Sequence, residues 1–212
     1  MRPEAVAGLV SLTGMPSFLF QHLHSSPPLG RGHPSLLDAP VLEAPAGSGG
    51  WPIVCFSHGT WGSEEVYTSL CRSLASLGFL VVALEHEDGS GCYACTAEGE
   101  TIQYQSPLND GERTQAMLSQ RLRELSSALT ALGEHGPQVE RQLDAVLSAC
   151  KRSSFILMGH SFGAATCALA AQELSGVATF ECALLFDTWA GALTPERRDL
   201  GVPGLPVLTV ER

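Results

Sequence analysis

The segment that most constrains the fold of this 212-residue chain is a strand-type apolar run joined to a helix of small residues by a tight turn. The run is Ser154-Phe-Ile-Leu-Met158, the turn is Gly159-His-Ser-Phe-Gly163, and the helix extends from Phe162 to Leu174. The turn has the pattern G-x-S-x-G, which between a strand and a helix is typical of a nucleophile elbow. Ser161 is therefore the candidate nucleophile. The glycines at both ends of the motif are needed because side chains there would crowd the turn.

Four other apolar runs predict the remaining strands, and amphipathic stretches predict the helices between them. The predicted strands are Pro52–Phe56, Phe79–Leu84, Cys182–Phe186 and Leu205–Val210, and the predicted helices are Glu64–Leu77, Gly111–Leu132 and Gln138–Ala149. The first two strands flank a helix, which makes a βαβ unit and implies a parallel sheet. The predicted class is therefore α/β, with a mostly parallel sheet and helices on both faces.

The composition divides the chain into two regions. Residues 1–50 are weakly periodic and contain two stretches rich in Pro, Ser and Gly, so we expect a poorly structured N-terminal segment with at most a short strand. Residues 51–212 carry the strand and helix patterns and form the predicted domain, within which Gly89–Pro107 is interpreted as a loop. A chain of this length suffices for one domain.

Charge and cysteine content exclude several classes of function. The 12 Lys and Arg against 22 Asp and Glu give a net charge of −10, which excludes a nucleic-acid partner because phosphate binding needs clustered cations. The sequence shows neither a transmembrane segment nor a secretory signal, so we expect a cytoplasmic protein with at most weak membrane-surface contact. Seven cysteines do not suggest a disulfide framework, and the pair Cys92 and Cys95 leaves a redox role open. No metal or other cofactor is expected.

Two further elements accompany the elbow. Asp187 directly follows the strand after the elbow helix, and an acid at that place is positioned to orient an imidazole, although a turn or capping role is the alternative. The turn Ser57-His-Gly59-Thr60 follows the first strand, and such a turn often supplies one backbone donor of an oxyanion hole. We assign the two donors to the backbone N–H groups of Thr60 and Phe162. His58 is interpreted as a structural residue of the turn.

Four segments of the chain carry a resemblance. They are Pro52-Ile-Val-Cys-Phe-Ser-His-Gly59, Leu77-Gly-Phe-Leu-Val-Val-Ala-Leu-Glu-His86, Met158-Gly-His-Ser-Phe-Gly163 and Ala183-Leu-Leu-Phe-Asp-Thr-Trp189. In this order they resemble the platelet-activating-factor acetylhydrolase family of calcium-independent, phospholipase A2-type serine esterases. The resemblance implies an α/β-hydrolase fold with Ser161 as nucleophile and Asp187 as the acid. It also implies hydrolysis of an acetyl or short acyl ester at the sn-2 position of a phospholipid, through an acyl-enzyme.

The chain departs from the family pattern in four respects. Thr60 stands where the family has a leucine, which a backbone donor tolerates. Glu87 replaces the arginine of the family's E-H-R-D segment, and Ala164 replaces the second glycine after the nucleophile motif. The fourth departure is the general base, because none of the seven histidines follows Asp187, whereas the family's histidine lies on a loop after a further strand. The resemblance therefore implies a domain that is incomplete at its C-terminus.

The missing histidine leaves two alternatives to a working esterase of this family. The chain could be an inactive pseudo-hydrolase or a fragment, since removal of a triad histidine costs about 10⁶ in kcat. It could also be another small carboxylesterase of the same fold. Substitution by His160 or His86 is disfavoured, because the side chain of His160 is expected to point away from Ser161 and the family has a histidine with a different role at His86.

Overall fold

The computed structural model describes residues 3–13, 40–133 and 141–211. The first half of the chain contains α1 (Pro3–Thr13), β1 (Trp51–Ser57), α2 (Thr68–Ser76), β2 (Leu80–Leu84), β3 (Ala94–Cys95), β4 (Thr101–Ile102) and α3 (Gly111–Gly133). The second half contains α4 (Arg141–Ser148), β5 (Cys150–His160), α5 (Phe162–Glu173), β6 (Phe180–Phe186), α6 (Pro195–Leu200) and β7 (Val207–Val210). Short 3₁₀ turns occupy Glu64–Tyr67 and Ala190–Ala192.

A five-stranded sheet in the order β2-β1-β5-β6-β7 forms the centre of the described residues. All of its strand pairs are parallel, which confirms the predicted sheet. The register aligns Phe56 of β1 with Met158 of β5, and Met158 with Leu184 of β6. The carboxyl ends of β1, β5 and β6 therefore meet at one edge of the sheet, which is where the predicted site residues lie.

Helices cover both faces of the sheet, as the sequence predicts. On one face, Ile53 and Cys55 of β1 pack in the core cluster to which α3 and α5 contribute. On the other face, Val54 and Phe56 belong to a second cluster against which residues of α2 pack. The alternation along β1 follows from the two-residue period of a strand. Because both faces are buried, the strand sequence is continuously apolar.

Several element boundaries differ from the sequence predictions. The predicted helix Glu64–Leu77 is a 3₁₀ turn followed by α2, and β5 begins four residues earlier than the apolar run indicates. The predicted loop Gly89–Pro107 contains the antiparallel pair β3–β4. Strands of two residues are too short to show an alternating pattern, so sequence periodicity could not reveal them.

The N-terminal segment also differs from expectation, because residues 3–13 form α1. Ala5 and Val6 on this helix are buried. A Cβ atom added to Gly8 would lie 1.9 Å from the carbonyl oxygen of Cys92, which shows how closely the helix approaches that loop. Small and apolar residues on all sides of a helix give little periodic signal, which is why the sequence pattern missed it. Residues 14–39 of the segment lie outside the described residues.

Candidate active site

Ser161 lies between β5 and α5 in a strained backbone conformation. Its φ of 53° and ψ of −113° lie where non-glycine residues rarely occur, as expected of the serine in a nucleophile elbow. Its backbone N–H donates to the carbonyl oxygen of Phe186 at 2.8 Å, and its own carbonyl accepts from the N–H of Trp189 at 3.2 Å. These bonds to the last residue of β6 and to the segment after it hold the strained turn in place.

The motif glycines are required by close backbone contacts. A Cβ on Gly159 would lie 2.3 Å from the carbonyl oxygen of Gly163. A Cβ on Gly163 would lie 2.0 Å from the carbonyl oxygen of Ser57, at the end of β1. The absence of a side chain on Gly159 therefore allows the elbow to close, and its absence on Gly163 allows the elbow helix to approach β1.

The turn after β1 lies directly beside the elbow. A Cβ on Gly59 would lie 3.2 Å from the Cβ of Ser161 and 2.9 Å from Nδ1 of His160. The N–H of Gly59 donates to the hydroxyl of Tyr67 at 3.3 Å. Thr60 follows in this turn, while Phe162 is the first residue of α5, where N–H groups are free of helical partners. This placement suits the predicted oxyanion donors, whose role stays a prediction.

Asp187 follows β6 and lies next to the elbow. Its φ of 43° is left-handed, and its N–H donates to the carbonyl oxygen of Val210 at 2.8 Å. Its carboxylate is 3.9 Å from Nε2 of His160, and both side chains are 38% exposed. The other ring nitrogen of His160 forms a 2.7 Å hydrogen bond with the hydroxyl of Tyr67. The structure therefore brings Asp187 to the edge that carries Ser161, and its catalytic role stays a prediction.

A second Ser-His-acid arrangement lies beneath the turn. Ser57 Oγ and His86 Nε2 are 2.8 Å apart, and His86 Nδ1 is 2.6 Å from the carboxylate of Glu124 on α3. Ser57 is only 1% exposed and His86 is fully buried, so no substrate can reach this serine. Burial lowers the pKa of His86 well below its usual 6.5, and nearby Arg121 and His58 act in the same direction. This arrangement is therefore internal support for the turn.

Two further side-chain contacts complete that support. His58 Nε2 is 3.1 Å from the carboxylate of Glu85, which agrees with a structural role for His58. The Nε of Arg121 donates to the carboxylate of Asp88 at 2.6 Å, and both side chains are buried. Sequence reasoning missed Arg121 and Glu124, because charged residues on a predicted helix normally indicate its exposed face.

The structure clarifies the two substitutions near the site. Glu87 is exposed, and its N–H donates to the carboxylate of Glu124 at 3.1 Å. Its side-chain charge therefore points away from the buried pairs made by its neighbours Glu85, His86 and Asp88. Ala164 is fully buried in the core cluster around α5.

The cysteines give no sign of a redox or metal site. All seven are free thiols. Cys92 is buried, and burial raises the pKa of its thiol, which disfavours the reactive thiolate. Within residues 3–13, 40–133 and 141–211, no three His, Cys, Asp or Glu side chains are grouped so that they could hold a metal ion.

Comparison with known proteins finds a matching family and similar relatives. The sequence profile of the family described as platelet-activating factor acetylhydrolase, isoform II, matches residues 3–200. The chain is 31% identical over 159 residues to a platelet-activating factor acetylhydrolase of Bos taurus, and 33% identical over 156 residues to that of Cavia porcellus. Each match covers 66% of this chain and 35% of the relative. The chain thus matches about a third of the length of these curated relatives.

Among solved structures, the chain is similar to a ferulic acid esterase from Streptomyces cinnamoneus. The TM-score is 0.51 at 20% sequence identity, and the match covers 79% of this chain and 52% of the esterase. At this identity the similarity concerns the fold alone. Together with the parallel sheet, it confirms the predicted α/β-hydrolase fold.

Proposed function

The chain belongs to the platelet-activating factor acetylhydrolase, isoform II, family, and from this membership we propose that it carries the nucleophile site of a serine esterase. The observation that carries the proposal is the strained backbone of Ser161 between β5 and α5. Strain of this kind costs on the order of 1–3 kcal/mol and persists where the surroundings enforce it. Here the close contacts of Gly159 and Gly163 enforce it.

The proposed reaction follows from the site. Ser161 Oγ attacks the ester carbonyl while its proton passes to a general base, and the carbonyl oxygen becomes an oxyanion. The N–H groups of Thr60 and Phe162 stabilise this oxyanion, as does the N-terminal end of α5. The alcohol leaves with a proton, which gives an acyl-enzyme. Water then releases the acid and restores Ser161.

The general base is proposed to be a histidine oriented by Asp187. None of the seven histidines in the 212-residue sequence follows Asp187, so the family order of serine, acid and histidine is not completed within it. His160 lies beside Asp187, but its ring nitrogens face Tyr67 and the Asp187 carboxylate. We therefore propose that the base is a histidine other than His160.

The proposed substrate is a phospholipid with an acetyl or short acyl chain at its sn-2 position. Family membership supports this choice, and the relatives from Bos taurus and Cavia porcellus carry the name platelet-activating factor acetylhydrolase.

Exposed Trp61 and Leu108 lie on loops of the described chain and would provide apolar contact with a lipid surface. None of the described helices combines the length and apolar character needed to cross a bilayer. The free cysteines support a cytoplasmic location, which is also a proposal.

Imidazole added in solution as a general base tests the function. The 212-residue chain is incubated with increasing imidazole and either a 1-alkyl-2-acetyl phosphocholine lipid or the corresponding lipid with a long sn-2 acyl chain. Release of the sn-2 acid is measured beside the Ser161→Ala variant. We expect imidazole-dependent release that Ser161→Ala abolishes and that is slower for a long sn-2 chain. Release that is equal in the variant would overturn the esterase proposal, while equal rates for both lipids would overturn only the chain-length preference.

A second candidate function is a pseudo-hydrolase that binds lipid without turnover. The observation that favours it is that His160, which lies beside Asp187, faces the Tyr67 hydroxyl with one ring nitrogen and the Asp187 carboxylate with the other. Titration with a lyso-phospholipid distinguishes the two functions. Binding that Ser161→Ala leaves unchanged, without acetate release at any imidazole concentration, would support this candidate.

A further inference from the structure

Arg121 is a charged side chain in the middle of α3 that is completely buried. Removing a guanidinium group from water costs several kcal/mol unless the group is paired and hydrogen-bonded. Asp88 supplies the paired charge at 2.6 Å, and its other oxygen accepts from the N–H and the hydroxyl of Ser90. The pair is thus fixed within a larger polar cluster beneath the candidate active site.

The remaining donors of Arg121 reach the turn after β1. Its Nη1 donates to the carbonyl oxygen of His58 at 2.7 Å, and its Nη2 donates to the hydroxyl of Ser90 at 2.6 Å. His58 lies two residues before Thr60, whose N–H is a proposed oxyanion donor. The guanidinium therefore holds the backbone of the segment that carries that donor.

The same guanidinium also contacts the elbow. Its central carbon lies 4.5 Å from the ring centroid of Phe162, the residue whose N–H is the other proposed donor. A cation over an aromatic face is attracted to it, more strongly where water is excluded. The ring of Phe162 also packs against Trp189 at 5.3 Å between centroids. One side chain of α3 thus touches both segments that would form the oxyanion hole.

We propose that Arg121 is a positioning residue that fixes the turn after β1 relative to Phe162, and so sets the spacing of the two backbone donors of the oxyanion hole. This inference rests on the proposed function for its catalytic meaning. The turn lacks regular secondary structure between Ser57 and Glu64. Backbone bonds join Trp61 to Ser90 and Gly62 to Gly59, and the guanidinium adds the bond to the carbonyl oxygen of His58 at the start of the turn. A planar group with several donors in a rigid fork suits this task better than a lysine ammonium.

The test compares Arg121→Lys with two variants of the same helix. Arg121→Lys keeps the charge for Asp88 but cannot reproduce the bonds to His58, Ser90 and Asp88 together. Arg123→Lys, at an exposed position, is the neutral control. Leu125→Ala, at a buried apolar position, controls for general destabilisation, because it opens the core without touching the turn.

Two measurements are made on each variant. Amide hydrogen exchange reports the order of residues 58–62 independently of activity, and imidazole-supported ester hydrolysis gives kcat and KM. We expect Arg121→Lys to raise exchange in residues 58–62 by about tenfold and to lower kcat by about 10²-fold with KM nearly unchanged. We expect Leu125→Ala to lower the melting temperature without either effect, and Arg123→Lys to behave as the parent.

The outcomes separate this proposal from the proposed function. Unchanged exchange of residues 58–62 in Arg121→Lys would overturn the positioning role, and so would an equal rise in Leu125→Ala. If the parent shows no Ser161-dependent hydrolysis, the proposed esterase function fails, and the exchange measurement still decides whether Arg121 orders the turn. Faster exchange of residues 58–62 in Arg121→Lys with an unchanged kcat would show that the turn does not supply an oxyanion donor. That result also overturns the proposal.

Discussion

At the scale of single residues, two left-handed non-glycine residues stand at the ends of neighbouring strands. Ser161 follows β5 and Asp187 follows β6, with φ of 53° and 43°. Strained residues concentrate at functional sites, because a binding or catalytic geometry has to be enforced by its surroundings. The sequence pattern identified both residues, since G-x-S-x-G and an acid after the next strand are local signals. It could not reveal their strain, which depends on contacts with distant backbone.

The first prediction concerns the contact between the elbow helix and β1. Gly163→Ala should lower the free energy of unfolding by about 1–3 kcal/mol, because the new Cβ would lie 2.0 Å from the carbonyl oxygen of Ser57. Urea unfolding measures the loss. Gly176→Ala is the matched control, because nothing lies within 4 Å of its added Cβ. Equal stability of the two variants would show that the elbow helix does not approach β1 as closely as described.

The second prediction concerns Glu124, whose pKa is raised from 4.5 to about 7 by burial. The folded protein therefore holds this proton more tightly than the unfolded chain does. The resulting stabilisation is fully present below about pH 4.5 and is lost as the pH rises through about 7. Glu124→Gln cannot lose a proton, so its stability relative to the parent should increase over this range.

Urea unfolding of the parent and Glu124→Gln at several pH values checks this prediction. Exposed Glu112 on the same helix provides the control variant Glu112→Gln, which should follow the parent at every pH. Parallel pH profiles for Glu124→Gln and the parent would mean that Glu124 is not buried against His86 as described.

At the scale of elements, α3 connects the core with the active-site edge. Leu118 and Leu125 on this helix are buried in the core cluster, while Arg121 and Glu124 contact the polar cluster beneath the turn. The sequence predicts the helix from its apolar spacing. The roles of its charged residues depend on partners more than thirty residues away in the chain, so no local pattern could indicate them.

The third prediction concerns the docking of α1. Gly8→Ala should release this helix, because the added Cβ would lie 1.9 Å from the carbonyl oxygen of Cys92. We expect faster amide exchange in residues 4–11. The clash with Cys92 should outweigh the higher helix propensity of alanine, which favours a helix by about 1 kcal/mol relative to glycine. Ala7→Ser changes an exposed neighbour and serves as the control. Unchanged exchange in Gly8→Ala would contradict the described contact.

At the scale of the whole molecule, the order of strands and helices was predictable because apolar runs and helical spacing are local. The parallel sheet and the edge that gathers Ser161, Asp187 and the turn after β1 followed from that order. The side-chain contacts beneath the turn were not predictable, and neither was α1. Those contacts join residues that are distant in sequence, and α1 lacks a clear apolar face. β7 forms an edge of the sheet with Val207, Leu208 and Val210 exposed.

Ser161 is proposed as the nucleophile, and trapping of the acyl-enzyme is the decisive measurement of this role. The chain is incubated with p-nitrophenyl acetate, digested, and examined by mass spectrometry for peptides that carry an added acetyl group. We expect acetylation of Ser161, release of nitrophenol in proportion to the acetyl groups added, and loss of both in Ser161→Ala. Acetyl groups found only at other residues, with nitrophenol release unchanged in Ser161→Ala, would contradict it.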